Sequence, residues 1–133
     1  MSLDLIIVTP QGPAYAGSVE TVVLPGSEGD FGVLPSHERL LAPLRIGEVE
    51  IRGGDGTVYA AVAEGFAEVD GEKVVVMVES CECAADVDVA RAELARDRSE
   101  QQLADVDDET RRREYEAALA RARNRLAVAE RDR

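Results

Sequence analysis

The chain has 133 residues, of which 45% are hydrophobic and 32% charged, enough for one buried core and too apolar for wholesale disorder. A formal net charge of −12 opposes binding to nucleic-acid phosphates, and 4% aromatics with no Trp offer no stacking platform for single strands. No apolar run approaches the ~20 residues of a membrane helix. The start, Met1-Ser2-Leu3-Asp4, lacks the basic region of a secretory signal, so a cytoplasm or an equivalent lumen is expected.

Punctuation residues divide the chain. All 11 glycines lie between Gly12 and Gly71, and all 5 prolines between Pro10 and Pro43. Turn-rich sequence thus gives way to turn-poor sequence, which predicts β structure over residues 1–84 followed by helix over 85–133. In order, Leu3–Thr9, Val19–Leu24 and Phe31–Leu34 read as strands, each closed by a proline. Further strands are expected near Leu40–Leu44, Gly47–Arg52, Val58–Val62, Phe66–Val69 and Lys73–Glu79. Between the last two, Asp70-Gly71 is a hairpin turn. Strands so short and so closely spaced predict a β-sandwich or flattened barrel.

The second part is dense in charge of both signs, as in a solvated helix pair. Asp86 is the expected N-cap of a helix from about Val87 to Leu103, with Asp88 in its first turn. Asp105-Val106-Asp107-Asp108 is a turn, where Asp107 or Asp108 caps a second helix running to about Glu130. The second helix has an apolar stripe at Tyr115, Leu119, Ala122, Leu126 and Ala129. The first has a weaker one at Val87, Ala90 and Leu94, where Arg98 replaces the next apolar residue. The overall expectation is an α+β chain, β then α: an N-terminal β-sandwich and a C-terminal antiparallel two-helix hairpin. Its alanine-rich faces bury little area, so the hairpin is expected to open without unfolding the β part.

Catalytic signatures are missing. His37 stands alone in a turn-like segment, no phosphate-binding P-loop pattern occurs, and no set of residues has metal-ligand spacing. A non-enzyme is expected. Cys81 and Cys83 read as reduced, semi-buried residues, since a bridge between them would close a strained ring. The arginines are the unusual feature. Measured from Val87 on an ideal helix, Leu94, Arg98 and Arg91 fall near ~−20°, ~+20° and ~+40°, so both arginines share one face. Arg121 and Arg125 flank the stripe of the second helix. Four guanidinium groups in one region need anions among them. Two readings stay open: resident acids such as Glu82, Asp88 or Glu93, or a phosphate-bearing ligand held bidentately.

Several blocks, in order, carry a family resemblance. They are Leu5-Ile6-Ile7-Val8-Thr9-Pro10-Gln11-Gly12, Val22-Val23-Leu24-Pro25-Gly26, Gly29-Asp30-Phe31-Gly32-Val33-Leu34-Pro35-Ser36-His37, Gly65-Phe66-Ala67-Glu68-Val69, Val87-Asp88-Val89-Ala90-Arg91-Ala92 and Arg121-Ala122-Arg123-Asn124-Arg125-Leu126. Along essentially its whole length the chain resembles the epsilon-subunit family of F-type ATP synthases. The resemblance implies a non-catalytic subunit of the rotary central stalk. Its sandwich, residues 1–84, would contact the gamma subunit and the rotor c-ring, coupling proton flow to ATP synthesis. Its hairpin, residues 85–133, would be regulatory. Extended, it would meet the alpha and beta subunits of the catalytic head and block ATP hydrolysis; folded down, it would permit activity. The implied location is peripheral, on the cytoplasmic side of the cell's inner (plasma) membrane. Some bacterial members bind ATP in the folded hairpin. By that resemblance Arg91, Arg98, Arg121 and Arg125 would handle phosphates and sugar, while Glu82, Asp88 and the backbone around Ala92 would recognise adenine. ATP would be a regulatory ligand, with no cofactor or metal required.

Overall fold

The computed structural model describes residues 2–132, the side chain of His37 excepted. Ten strands form one sheet: β1 (Leu3–Thr9), β2 (Gly12–Val19), β3 (Thr21–Gly26), β4 (Gly29–Val33), β5 (His37–Leu44), β6 (Gly47–Gly53), β7 (Gly56–Val62), β8 (Gly65–Gly71), β9 (Lys73–Val78) and β10 (Cys81–Cys83). Their order is β10-β7-β6-β3-β5-β8-β9-β1-β2, with β4 paired to β3. The sheet curls into a nearly closed, flattened barrel, the β-sandwich that the sequence predicts. Alternation explains the packing. Leu3, Leu5 and Ile7 of β1 turn inward, as do Val74, Val76 and Val78 of β9, to meet Val22, Leu24, Val49 and Ile51 from the facing strands. Every strand pair is antiparallel except β1 with β9. At Gly65 the backbone carbonyl of Met77 lies where a Cβ would stand, so β8 meets β9 there only as glycine.

The outward face of this sheet is partly apolar. Pro43, Phe66, Met77 and Val8 fall into one cross-strand row over β5, β8, β9 and β1. Phe66 is 52% and Met77 44% exposed, and Leu41, next to the row on β5, is 67% exposed.

Two strands lie where the sequence shows none. β2 is Gly-Pro-Ala-Tyr-Ala-Gly-Ser-Val, poor in β formers and largely exposed; pairing with β1 imposes its conformation, with a register shift beside Pro13. β10 has three residues, too few for a periodic signal, and is held by Val62, Ala61 and Ala60 of β7.

After β10 a 3-10 turn, Ala84–Asp86, leads through extended Val87 to α1 (Val89–Asp105). Asp108 then opens α2 (Glu109–Ala129), which ends in a 3-10 turn, Glu130–Asp132. The expected N-cap at Asp86 is corrected. Because Val87 stays extended, the helix starts later and Asp88 is the cap, its carboxylate accepting from the Arg91 N–H at 3.1 Å. Asp108 does the same for α2 through the Thr110 N–H at 3.0 Å. The apolar stripe expected for the first helix is also corrected. Leu94 is 65% exposed, while Ala92 and Ser99 are buried against α2. These two lie roughly 130° round the helix from Leu94 and Arg98. Small side chains decide this, since they let two helices approach closely. On α2 the expected stripe holds: Leu119 and Ala122 are buried, and Tyr115, Leu126 and Ala129 partly so.

The hairpin lies against β6, β7 and β10. Asn124 of α2 donates to the Gly47 carbonyl at 2.8 Å and to the Val62 carbonyl at 3.5 Å. Arg131 donates to both carboxylate oxygens of Glu48, at 3.0 and 3.1 Å.

Candidate functional site

Where β10, the 3-10 turn, α1 and α2 converge, a cavity of about 670 Å³ opens, lined by Glu82, Asp86, Asp88, Arg91, Ala92, Leu94, Ala95, Arg98 and Arg125. Each element delivers its residues for a local reason. On β10 successive side chains alternate, so Cys81 and Cys83 pack on the core while Glu82 faces the helices. Asp88 stands at the cap of α1. Arg91 and Arg98 share the face of α1 left over when Ala92 and Ser99 turn to α2. Arg125 comes from the facing helix.

Six of the seven residues marked by the sequence, namely Glu82, Asp88, Arg91, Ala92, Arg98 and Arg125, therefore line one cavity; Arg121, half-buried one turn before Arg125, does not. Both readings of the arginines have a physical counterpart. Glu82 pairs with Arg125 at 3.8 Å. Among the described residues Arg91, Arg98 and Arg121 form no ion pair, and Glu93 is paired with none of them. The wall thus sets three arginines, of which Arg91 and Arg98 are in no ion pair among the described residues, among three carboxylates, Glu82, Asp86 and Asp88, beside the first turn of a helix. The two unpaired guanidinium groups can take an anion. The size of the cavity suits a small organic ligand. Asp88 is partly committed, since its carboxylate already serves the backbone of Arg91.

Sequence reasoning missed Asp86, Leu94 and Ala95 as lining residues. Asp86 enters through the 3-10 turn, which has no sequence signature. Leu94 looked like a core residue by periodicity. Next to the cavity, burial pushes the Cys81 thiol up to about 12, the charges of Cys83 and Glu82 adding to it. Cys83 is raised as well, first by burial and then by Asp86. Both cysteines are free. A shallower hollow of about 380 Å³ at the far end of the hairpin shares Arg98 and includes Arg111 and Tyr115.

A ten-stranded sandwich with a two-helix appendage, joined at a polar cavity, corresponds to one known class of two-part subunit. Residues 2–84 match the family model described as ATP synthase, Delta/Epsilon chain, beta-sandwich domain, and residues 85–130 match its long alpha-helix domain. The chain belongs to the ATP synthase delta/epsilon family. Within it, the ATP synthase epsilon chains of Staphylococcus aureus strains JH9 and Newman are 45% identical over 130 residues, 97% of either chain. These matches place the chain among the epsilon subunits of F-type ATP synthases, non-catalytic members of that complex. The fold is shared with a chain of the Euglena gracilis mitochondrial ATP synthase OSCP/F1/c-ring assembly. There the TM-score is 0.81 and the identity 21%, covering 95% of this chain and 80% of that one. It is shared also with a chain of the Tetrahymena thermophila mitochondrial central stalk and c-ring, with TM-score 0.68, 12% identity and 97% coverage of both.

Proposed function

We propose that the chain is a regulatory rotor subunit whose folded hairpin binds ATP. The sandwich joins the central stalk, its outer row of Pro43, Phe66, Met77 and Val8 seating the gamma subunit while the barrel end meets the c-ring, so that proton flow is coupled to ATP synthesis. This assigns the chain a peripheral place on the cytoplasmic side of the bacterial plasma membrane, reached through the complex; no helix among the described residues is long and apolar enough to cross a membrane. The hairpin, when extended, reaches the alpha and beta subunits of the catalytic head and restrains hydrolysis.

The observation that carries the ATP reading is the cavity itself: its walls come from both parts of the chain, Glu82 from the sandwich and Arg91, Arg98 and Arg125 from the helices. A polyanion held there binds only the folded form, and at a hundredfold excess over Kd stabilises it by about 2.7 kcal/mol. Arg121, one turn from Arg125, closes on the ligand from the same helix. Glu82, Asp88 and the Ala92 backbone serve the base. Reconstitution of a catalytic head with its gamma subunit and this chain tests the regulatory reading. Hydrolysis is expected to fall on adding the full chain and to recover when residues 85–133 are removed. Equal hydrolysis with and without those residues would overturn it.

A further inference from the structure

The hairpin is fastened to the sandwich at a second place, away from the cavity. Asn124 directs its amide nitrogen at two carbonyls, Gly47 at 2.8 Å and Val62 at 3.5 Å. Both partners are acceptors, so the nitrogen is the only end of the side chain that fits. Gly47 and Val62 face each other as the first pair of the β6–β7 ladder. One side chain therefore bridges two strands at the point where their ladder begins. At the end of the hairpin, Arg131 grips Glu48 of β6 with two bonds, at 3.0 and 3.1 Å, and its guanidinium carbon stands 4.8 Å from the centre of the Tyr59 ring on β7. The bond to Glu48 and that carboxylate's charge raise the Arg131 pKa further above its ordinary value.

These contacts share three properties. They join residues 77 and 83 positions apart, so they exist only while the hairpin is docked. They fall on the same two strands, β6 and β7. None of Asn124, Arg131, Glu48 and Tyr59 lines the cavity. The rest of the Asn124 face of α2 is short of apolar area: Val128 is its fully buried apolar residue, while Ala122 lies roughly 160° round the helix. Polar groups with defined geometry therefore carry the register that a larger apolar face would otherwise carry.

We infer that Asn124 and the Arg131–Glu48–Tyr59 cluster form a latch that sets the docked fraction of the hairpin independently of any ligand. The inference rests on the hairpin being a movable element. Loss of the latch shifts the closed state toward the open one without touching a cavity wall. Any ligand that binds only the closed state then shows an affinity reduced in proportion to the closed fraction.

Hydrogen exchange of the full-length chain, read peptide by peptide, tests this with Asn124→Asp, Glu48→Gln, Arg131→Gln and the double variant of the last two. Asn124→Asp keeps the shape and removes the donor, and exchange in α2 is expected to rise about tenfold. Arg131→Gln or Glu48→Gln is expected to give about threefold, in keeping with a partly exposed pair. The double variant should match Arg131→Gln, because removing Arg131 takes away both its bond to Glu48 and its contact with Tyr59. Strands β8 and β9 should keep their protection throughout. If α2 opens separately from the sandwich but at the same rate in all variants, the latch is overturned and the movable hairpin stands. If α2 exchanges only together with β8 and β9 in every variant, both fall.

Discussion

Glu82 of β10 and Arg125 of α2 stand 3.8 Å apart across the seam between sandwich and hairpin. The pair is partly solvated, with 39% and 24% of the two side chains exposed. Its own contribution to stability is therefore small, on the order of 0–1 kcal/mol. Its position matters more. It places an anion on one of the cavity's cations while Arg91 and Arg98 are left without one, and a polyanionic ligand would find its charge partners already facing inward.

Arg91→Ala and Arg125→Ala should each weaken ATP binding about tenfold to a hundredfold, the range for losing one charge-assisted hydrogen bond. Calorimetric titration of the full chain reads this directly. One-to-one binding in the parent with undiminished affinity in both variants would remove the arginines from the site.

Asp88 has two separable duties, and two substitutions separate them. Asp88→Ala removes the cap and should cost about 1 kcal/mol, seen as earlier chemical unfolding and faster exchange at the start of α1. Asp88→Asn keeps a capping oxygen and should cost only a few tenths. If the asparagine variant retains stability yet loses nucleotide affinity, the carboxylate acts on the ligand. If both properties survive in it, capping is the sole duty.

Gly65→Ala should destabilise the sandwich by about 3 kcal/mol, because the added methyl meets the Met77 carbonyl, a backbone atom in a paired strand that has nowhere to go. A urea midpoint unchanged from the parent would contradict the close approach of β8 and β9.

The two thiols give a pH signature. The folded Cys81 pKa lies near 12 against an ordinary value of 9.0. The folded state therefore holds its proton more tightly than the unfolded state does. The resulting stabilisation is complete below about pH 9 and is lost as pH rises from there toward about 12. Alkylation of the native chain should be slow at pH 8 and still accelerating at pH 10. A rate that levels off near pH 9 would show ordinary, solvated thiols.

The division into sandwich and hairpin was legible because glycine and proline mark turns wherever they occur, and eight of the strands carry apolar or β-branched runs. β2 and β10 were not. Their conformation is imposed by β1 and β7, and Gly12-Pro13-Ala14 or Cys81-Glu82-Cys83 alone favour nothing. The face of α1 was misjudged for a related reason. Periodicity ranks Leu94 above Ala92 and Ser99, yet two helices meet most closely where side chains are smallest. At the cavity, the spacing of Arg91 and Arg98 was readable because one helix fixes it. Arg121 falling outside the lining depends on how α2 sits on β6 and β7. That in turn depends on Asn124, a polar residue of modest helix propensity whose place in mid-helix was the available clue.

Between Cys83, the last residue on the core, and Asp88, the cap of α1, the chain has one 3-10 turn and extended Val87. A hairpin that pivots as proposed on so short a tether would behave as a rigid arm. Arg91 sits ~4.5 Å beyond the pivot and Asp105 ~25 Å beyond it, at 1.5 Å per residue. A displacement of ~1 Å at Arg91 thus becomes ~6 Å at the tip. The charged cavity lies at the fulcrum end, where side chains would need to move least, and the loop at Val106–Asp108 would sweep the widest arc.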